Sequence, residues 1–383
     1  RGEQFRGVAQ TNSLSTSLLA SIFLISSVSW SMSQKITETK EIKKEFLVNS
    51  DATLTLYNFY GNINVHSWDQ DKVEIVIKIQ AEGKNRKRIL ERLEDVNITF
   101  SNTADEVSVK THIIEKNYWT FSLDPFFIGL DNNQYSFGLG IIPEPSFQIN
   151  YIVKIPHNNQ AVIYNKYGDI FIDELKGSAS IDCQSGNLNI GRLLHHDNKI
   201  ELAYSSNSNI DYMKQGTIQV DYSSLDIVES EVIDLNANYS NVQINVVDEL
   251  KFNCDYGKLG LGSVGNLEGD GDYVDITIGK VDFDAIISLD YGALKIRSIG
   301  PDARSISIDS NYEAIDLGID PEWSFNFEVE TSYTGFKSDF SLDYLKMIKD
   351  NSDDYYQGSY GTAIKKGSLH ITSDYGEIKL KHN

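Results

Sequence analysis

Asp255-Tyr256-Gly257-Lys258-Leu259-Gly260-Leu261 sets a turn-forming Asp-Tyr-Gly against two apolar residues in alternation, and the chain repeats this phrase along most of its length. It returns as Lys166-Tyr167-Gly168, Asp221-Tyr222-Ser223, Asn238-Tyr239-Ser240, Asp290-Tyr291-Gly292 and Asp374-Tyr375-Gly376. The tyrosine slot falls at 167, 185 (a serine), 204, 222, 239, 256, 273, 291, 312, 333 and, after a longer gap, 375. A period of 17 to 21 residues with strand-type alternation predicts a solenoid. Incoming apolar pairs such as Leu250 with Phe252, Ile306 with Ile308 and Leu369 with Ile371 complete each rung. Two to three short strands per rung, stacked about 4.8 Å apart, make a parallel β-helix. The crossover preference makes it right-handed. The expected fold is therefore all-β: a right-handed parallel β-helix-like solenoid preceded by a β-rich region with one short helix.

Working outward, the array spans 157–383 and the β-rich region 34–156. Tyr60-Gly61 with Ile63 and Val65 is an early copy of the phrase, and Val73 to Ile79 alternates as a strand. Asn85 caps a predicted helix from Arg86 to Glu94 with Ile89, Leu90 and Leu93 on one face. Its Arg86, Lys87 and Arg88 oppose the helix dipole and read as a solvated face. Strands are expected over Val96–Phe100, Glu106–Ile113 and Phe147–Ile155. Between the last two lies an aromatic insertion, 114–146, and the repeats are interrupted over 339–361, where Leu342, Tyr344, Leu345, Met347 and Ile348 fall at helical spacing.

The chain of 383 residues is 40% apolar and carries a formal charge of −21. Such a surface repels nucleic acid and anionic lipid, so neither is an expected partner. Arg1 and Arg6, the apolar run Leu18 to Val28 and the small residues Ser31 and Ser33 read as a secretory signal peptide over 1–33. The run is short for a membrane span. The expected location is outside the cytoplasm: periplasm, outer envelope or extracellular surface, with no integral span after cleavage.

Cys183 and Cys254 each lie two residues before a tyrosine slot and face inward, four rungs apart, roughly 19 Å at one strand spacing per rung. That distance excludes a disulfide. Tyr204, Tyr222, Tyr239, Tyr256, Tyr273, Tyr291, Tyr312 and Tyr333 should stack as a structural ladder, whose alternative use is stacking against sugar rings or partner side chains. The preceding column, Asp221, Asn238, Asp255, Asp272, Asp290, Asn311 and Asp374, suits turns. The Gly-Gly-x-Gly-x-Asp pattern of calcium rolls does not occur, His195-His196 is a lone pair on a loop, and neither a nucleophile elbow nor a phosphate loop is found. No catalytic residue, metal or cofactor is expected. Trp119, Phe121, Phe126 and Phe127, in the insertion that the repeat does not require, are the candidate ligand-binding residues.

The run Val73 to Glu82, the helix Arg86 to Glu94, Val96-Asn-Ile-Thr, Glu106-Val-Ser-Val-Lys, Tyr151 to Pro156 and Asn165 to Ile172 together resemble the order of elements in the bacterial putative-adhesin domain family. The resemblance extends from about Tyr60 to the C-terminus and implies an exported β-solenoid of Gly-x-Ile-x-Ile rungs, without catalytic residues to carry over. The Tyr-rich turns, the insertion and the interruption depart from it. The expected function is a non-enzymatic envelope or surface adhesin or scaffold whose ligand is a surface glycan or protein. The alternative is a β-helical carbohydrate-active enzyme, a polysaccharide lyase or hydrolase.

Overall fold

In the computed structural model, residues 35–114 and 146–383 are described. The described chain is all-β with one short helix, α1 (Arg86–Glu94), and a single continuous sheet joins 22 strands. These are β1 (Ile36–Leu47), β2 (Thr53–Phe59), β3 (Ile63–Trp68), β4 (Lys72–Gly83), β5 (Val96–Asn102), β6 (Glu106–Ile113), β7 (Ser146–Pro156), β8 (Gln160–Lys166), β9 (Ile170–Leu175), β10 (Ala179–Gln184) and β11 (Leu188–Leu193). There follow β12 (Lys199–Ala203), β13 (Ser208–Asp221), β14 (Ser224–Asn238), β15 (Asn241–Ile299), β16 (Ser305–Ile319), β17 (Phe325–Ser332), β18 (Phe336–Ser338), β19 (Asp343–Asp350), β20 (Asp353–Tyr360), β21 (Gly367–Asp374) and β22 (Ile378–His382).

Apolar identity sets the register. On the incoming side of the tyrosine slot, Ile181 pairs with Ile200, Ile200 with Ile218, Ile218 with Leu235 and Leu235 with Phe252, all parallel. On the outgoing side, Ile172 pairs with Ile190, Ile190 with Ile210, Ile210 with Ile227 and Ile227 with Ile244. A slip of one residue would turn every one of these side chains out of the core. All are at most 3% exposed. The same register leads from Cys183 through Leu202, Val220 and Ala237 to Cys254, so the two thiols stay apart, free and buried. Burial pushes both up to about 12, Cys183 with help from Asp169 and Asp182 and Cys254 from Asp255, which leaves them as inert apolar fillers.

The strands run longer than two or three short segments per repeat. β15 alone covers 59 residues and passes through the corners at 256, 273 and 291. A single left-handed residue bends the backbone at each corner while ladder pairing continues on both sides of it.

At the start of the sheet, β1, β4 and β7 pair antiparallel, then β7, β3 and β9 pair parallel. On the other side β5 pairs antiparallel with β6, which continues in parallel to β2 and β8. In α1, Asn85 Oδ1 accepts from the N–H groups of Lys87 and Arg88, and Ile89 and Leu93 are buried. Leu90, expected on that face, is 44% exposed. Arg86 is bound to Glu38 at 2.7 Å and Lys87 lies 3.9 Å from Glu91.

The C-terminal end departs from chain order. β21 pairs in parallel with β16 on one edge and β17 on the other, and β22 lies likewise between β16 and β18. Tyr375 therefore stands between Tyr312 and Tyr333, not beyond them. The helical spacing over 342–348 also misleads, because from Asp343 these residues form β19, antiparallel to β20, which is itself antiparallel to β17. The edge of β17 not taken by β21 supplies ladder partners to β20, and Asn351, at φ 46°, lies in the tight turn between β19 and β20. All eight residues of β19 are exposed, so no buried apolar stripe exists to hold a helix there.

Candidate contact face at the tyrosine corners

Every corner adopts the left-handed conformation. Tyr60, Tyr167, Ser185, Tyr204, Tyr222, Tyr239, Tyr256, Tyr273, Tyr291, Tyr312, Tyr375 and Tyr333 have φ between 50 and 62°. The geometry lets each corner N–H reach across the ladder: Tyr204 donates to Asp221 O at 3.1 Å, Tyr222 to Asn238 O at 3.0 Å and Tyr239 to Asp255 O at 2.8 Å. A residue with a Cβ pays about 1–2 kcal/mol to sit there, and glycine or asparagine would be the cheaper choice. Stacking is the return. From Tyr204 to Tyr312 successive ring centroids lie 4.7–5.4 Å apart with planes within 6° of parallel. Each aromatic contact contributes about 0.5–1.5 kcal/mol beyond burial, of the same size as the backbone penalty. Tyr60 and Tyr167 form a separate stacked pair at 5.1 Å.

A test follows from this near-balance. Tyr256→Gly loses two stacking contacts but relieves the corner, and a loss of about 1 kcal/mol is expected. Tyr256→Val loses the same contacts and places a β-branched residue at positive φ, so it should cost at least about 1 kcal/mol more. Urea midpoints in which valine equals or exceeds glycine would remove strain from the account.

The ladder is half open to solvent: Tyr222 and Tyr239 are each 53% exposed. Inside it both faces of every ring are covered by neighbours, leaving only edges and hydroxyls outside. A sugar ring therefore finds no free face along the run from Tyr222 to Tyr375. Burial, neighbouring phenols and aspartates raise the Tyr256 and Tyr291 hydroxyls above their ordinary 10.0, so these two are neutral donors at physiological pH.

The preceding column is half-buried beside it, apart from the exposed Asp272. Asn238 Nδ2 donates to Asp221 Oδ1 at 3.0 Å and Asn311 Nδ2 to Asp290 Oδ1 at 2.7 Å. Between these amides Asp255, Asp272 and Asp290 follow one another, and Asp272 is raised first by burial and then by Asp255, Asp290 and Asp270. The carboxylates thus form a regular strip, not a converging pair. Among the described residues no three His, Cys, Asp or Glu side chains group as a metal site. His195 and His196 stack at 4.3 Å on the loop between β11 and β12.

Sequence reasoning missed Glu313. It follows Tyr312 in the position that Gly168, Gly257, Gly292 and Gly376 fill elsewhere, and it is 1% exposed with neither carboxyl oxygen hydrogen-bonded. A charged residue in a slot otherwise held by Gly, Ser, Val274 or Thr334 was the available signal. Burial, then Asp290 and Asp275, push its carboxyl from 4.5 up to about 7. In the unfolded chain it ionises above 4.5, whereas the folded protein holds the proton to about 7. Stability must fall as pH rises through that window, by on the order of 3 kcal/mol. Glu313→Gln should gain on the wild type by that amount between pH 4.5 and 7.5, read as diverging urea midpoints. A gap independent of pH would show that the carboxyl is solvated.

Trp119, Phe121, Phe126 and Phe127 lie outside the described residues, as does the segment 1–33. No helix of the described residues is long and apolar enough to cross a membrane.

No family model matches the chain and no curated protein does. Among solved structures it is similar to a "putative cell adhesion protein" from Clostridium sporogenes ATCC 15579, at 10% identity over 90% of this chain and 100% of that one, with a TM-score of 0.18. It is also similar to a "putative adhesin" from Parabacteroides merdae ATCC 43184, at 10% identity over 71% and 96%, TM-score 0.28. A third, a "putative adhesin" from Bacteroides fragilis NCTC 9343, gives 11% identity over 90% and 97%, TM-score 0.21.

Proposed function

We propose that the chain is an exported, non-enzymatic β-solenoid that works as an envelope or surface adhesin or scaffold, with 157–383 as the repeat array, 34–156 as the region stacked on its first rung and 1–33 as a signal peptide. The parallel registers, advancing 17 to 19 residues from Ile181 to Ile200, Ile218, Leu235 and Phe252, support the solenoid. The observation that carries the functional reading is the corner column itself. Tyrosines keep a costly backbone conformation at eleven of twelve corners and line up their hydroxyls beside a strip of carboxylates. A regular row of this kind suits repetitive contact with an extended partner. The aromatic insertion, with Trp119, Phe121, Phe126 and Phe127, is the second contact element of the proposal.

The test is a glycan and protein binding screen on residues 34–383, run alongside a polysaccharide depolymerisation assay. Saturable attachment without chain cleavage is the expected result. Cleavage of any acidic or neutral polysaccharide would replace the proposal with the β-helical carbohydrate-active enzyme.

A further inference from the structure

The ladder has one vacancy. Tyr167, Ser185 and Tyr204 occupy three consecutive corners, as the pairing of Lys166 with Gln184 and of Gln184 with Ala203 shows. The corner N–H of Tyr167 donates to Gln184 O and that of Ser185 to Ala203 O, each at 2.9 Å. Ser185 keeps the left-handed backbone, φ 54°, so the rung is formed as elsewhere and lacks only the ring. The planes of Tyr167 and Tyr204 are consequently two strand spacings apart, about 10 Å. Tyr204 is 60% exposed, against 53% for Tyr222 with both faces covered, whereas Tyr167, with Lys166 over its ring, is 48% exposed.

We infer that the notch over Ser185, between the rings of Tyr167 and Tyr204, captures one aromatic side chain of a partner protein. The ladder supplies the dimensional argument. A ring placed midway lies about 5 Å from each wall, and tyrosines elsewhere in this column stack at 4.7–5.4 Å, the pairs flanking the notch at 5.1 and 5.4 Å. The inserted ring therefore completes two contacts whose geometry the protein already uses at neighbouring corners. Charge also sets this stretch apart. Where the column before the corners holds Asp or Asn from 221 onward, with Ser332 the one exception, it holds Lys166, Gln184 and Ala203 at the notch. Lys166 Nζ lies 5.3 Å from the Tyr167 centroid, and Gln184 Nε2 donates to Asp182 Oδ2 at 3.3 Å. An electron-rich ring thus meets a cation and an amide here, with the Asp182 carboxylate held by that amide and the aspartate column farther along the ladder.

This deepens the contact-face reading above and rests on it for biological use, but ring capture is measurable by itself. Protein labelled with 3-fluorotyrosine is titrated with N-acetyl-tyrosinamide and, separately, with methyl β-D-glucopyranoside, following the fluorine resonances of Tyr167 and Tyr204. Saturable millimolar shifts of these two resonances with the tyrosinamide are expected. Ser185→Tyr, which fills the notch, should weaken the response at least about tenfold, and Ser185→Ala should retain it. If Ser185→Tyr does not fold, Tyr204→Leu removes one wall without filling the gap and should also lose capture. Shifts that persist in both variants, shifts confined to other tyrosines, or a response to the glucoside in place of the tyrosinamide would each overturn the assignment. Loss of surface attachment with ring capture intact would count against the adhesin reading alone.

Discussion

Truncation after Lys366 is expected to detach residues 325–360 from the rest of the sheet, although it removes only the last two strands. β17 and β18 have no pairing with β16; each meets it through β21 and β22. The lost strands also carry Leu369, Ile371, Ile378 and Leu380, all at most 1% exposed. At about 1.5–3 kcal/mol for each buried side chain, their removal costs on the order of 6–12 kcal/mol, comparable with the net stability of a whole domain. It further breaks the stack at Tyr375, separates Ser310 Oγ from Ser373 Oγ, now 3.2 Å apart, and bares two strand edges that invite aggregation. Limited proteolysis should cut the truncated protein between 320 and 366 while the remainder stays resistant. Protection of that stretch would mean that β17 had moved against β16, setting Tyr333 directly on Tyr312, and that the inserted rung is dispensable.

That alternative register explains why the C-terminal order could not be read from the sequence. The repeat phrase says what a rung is, and Asn311-Tyr312, Ser332-Tyr333 and Asp374-Tyr375 all qualify. Nothing local distinguishes the neighbour of Tyr312, so chain order was the default, and the tertiary pairing of β21 overrode it. Residues 342–348 failed for a related reason: short apolar spacings do not separate a helix from an edge strand when β20 offers a ladder. By contrast, the inward and outward positions were legible wherever alternation met a tyrosine slot, as were the cap at Asn85 and the separation of Cys183 from Cys254. The site was legible in half. The slots, including the serine at 185, stand in the sequence, but their positive φ does not, because tyrosine is not a residue that announces a left-handed corner. The notch acquires meaning only once the rings on either side are seen to stack.

Leu259→Asp is expected to abolish cooperative folding of the sheet, whereas Lys258→Asp should cost under about 1 kcal/mol. Leu259 is 1% exposed, packed in the core beside Leu261, and Lys258 is exposed on the opposite face of the same strand. Aspartate at 259 loses the apolar burial and places a carboxylate where no cation or donor faces it, a cost of several kcal/mol even after the group takes up a proton. The parallel pairing amplifies the damage: each strand shares its buried side chains with the strands beside it, so a central break removes a packing surface on both sides. At 258 the new carboxylate remains in water, and its only added term is repulsion within an already acidic surface. Thermal melts followed by far-ultraviolet circular dichroism separate the two outcomes: loss or broadening of the transition for Leu259→Asp, and a shift of a few degrees for Lys258→Asp. Equal tolerance at the two positions would mean that Leu259 does not face the core, and the register that places every corner tyrosine would fall with it.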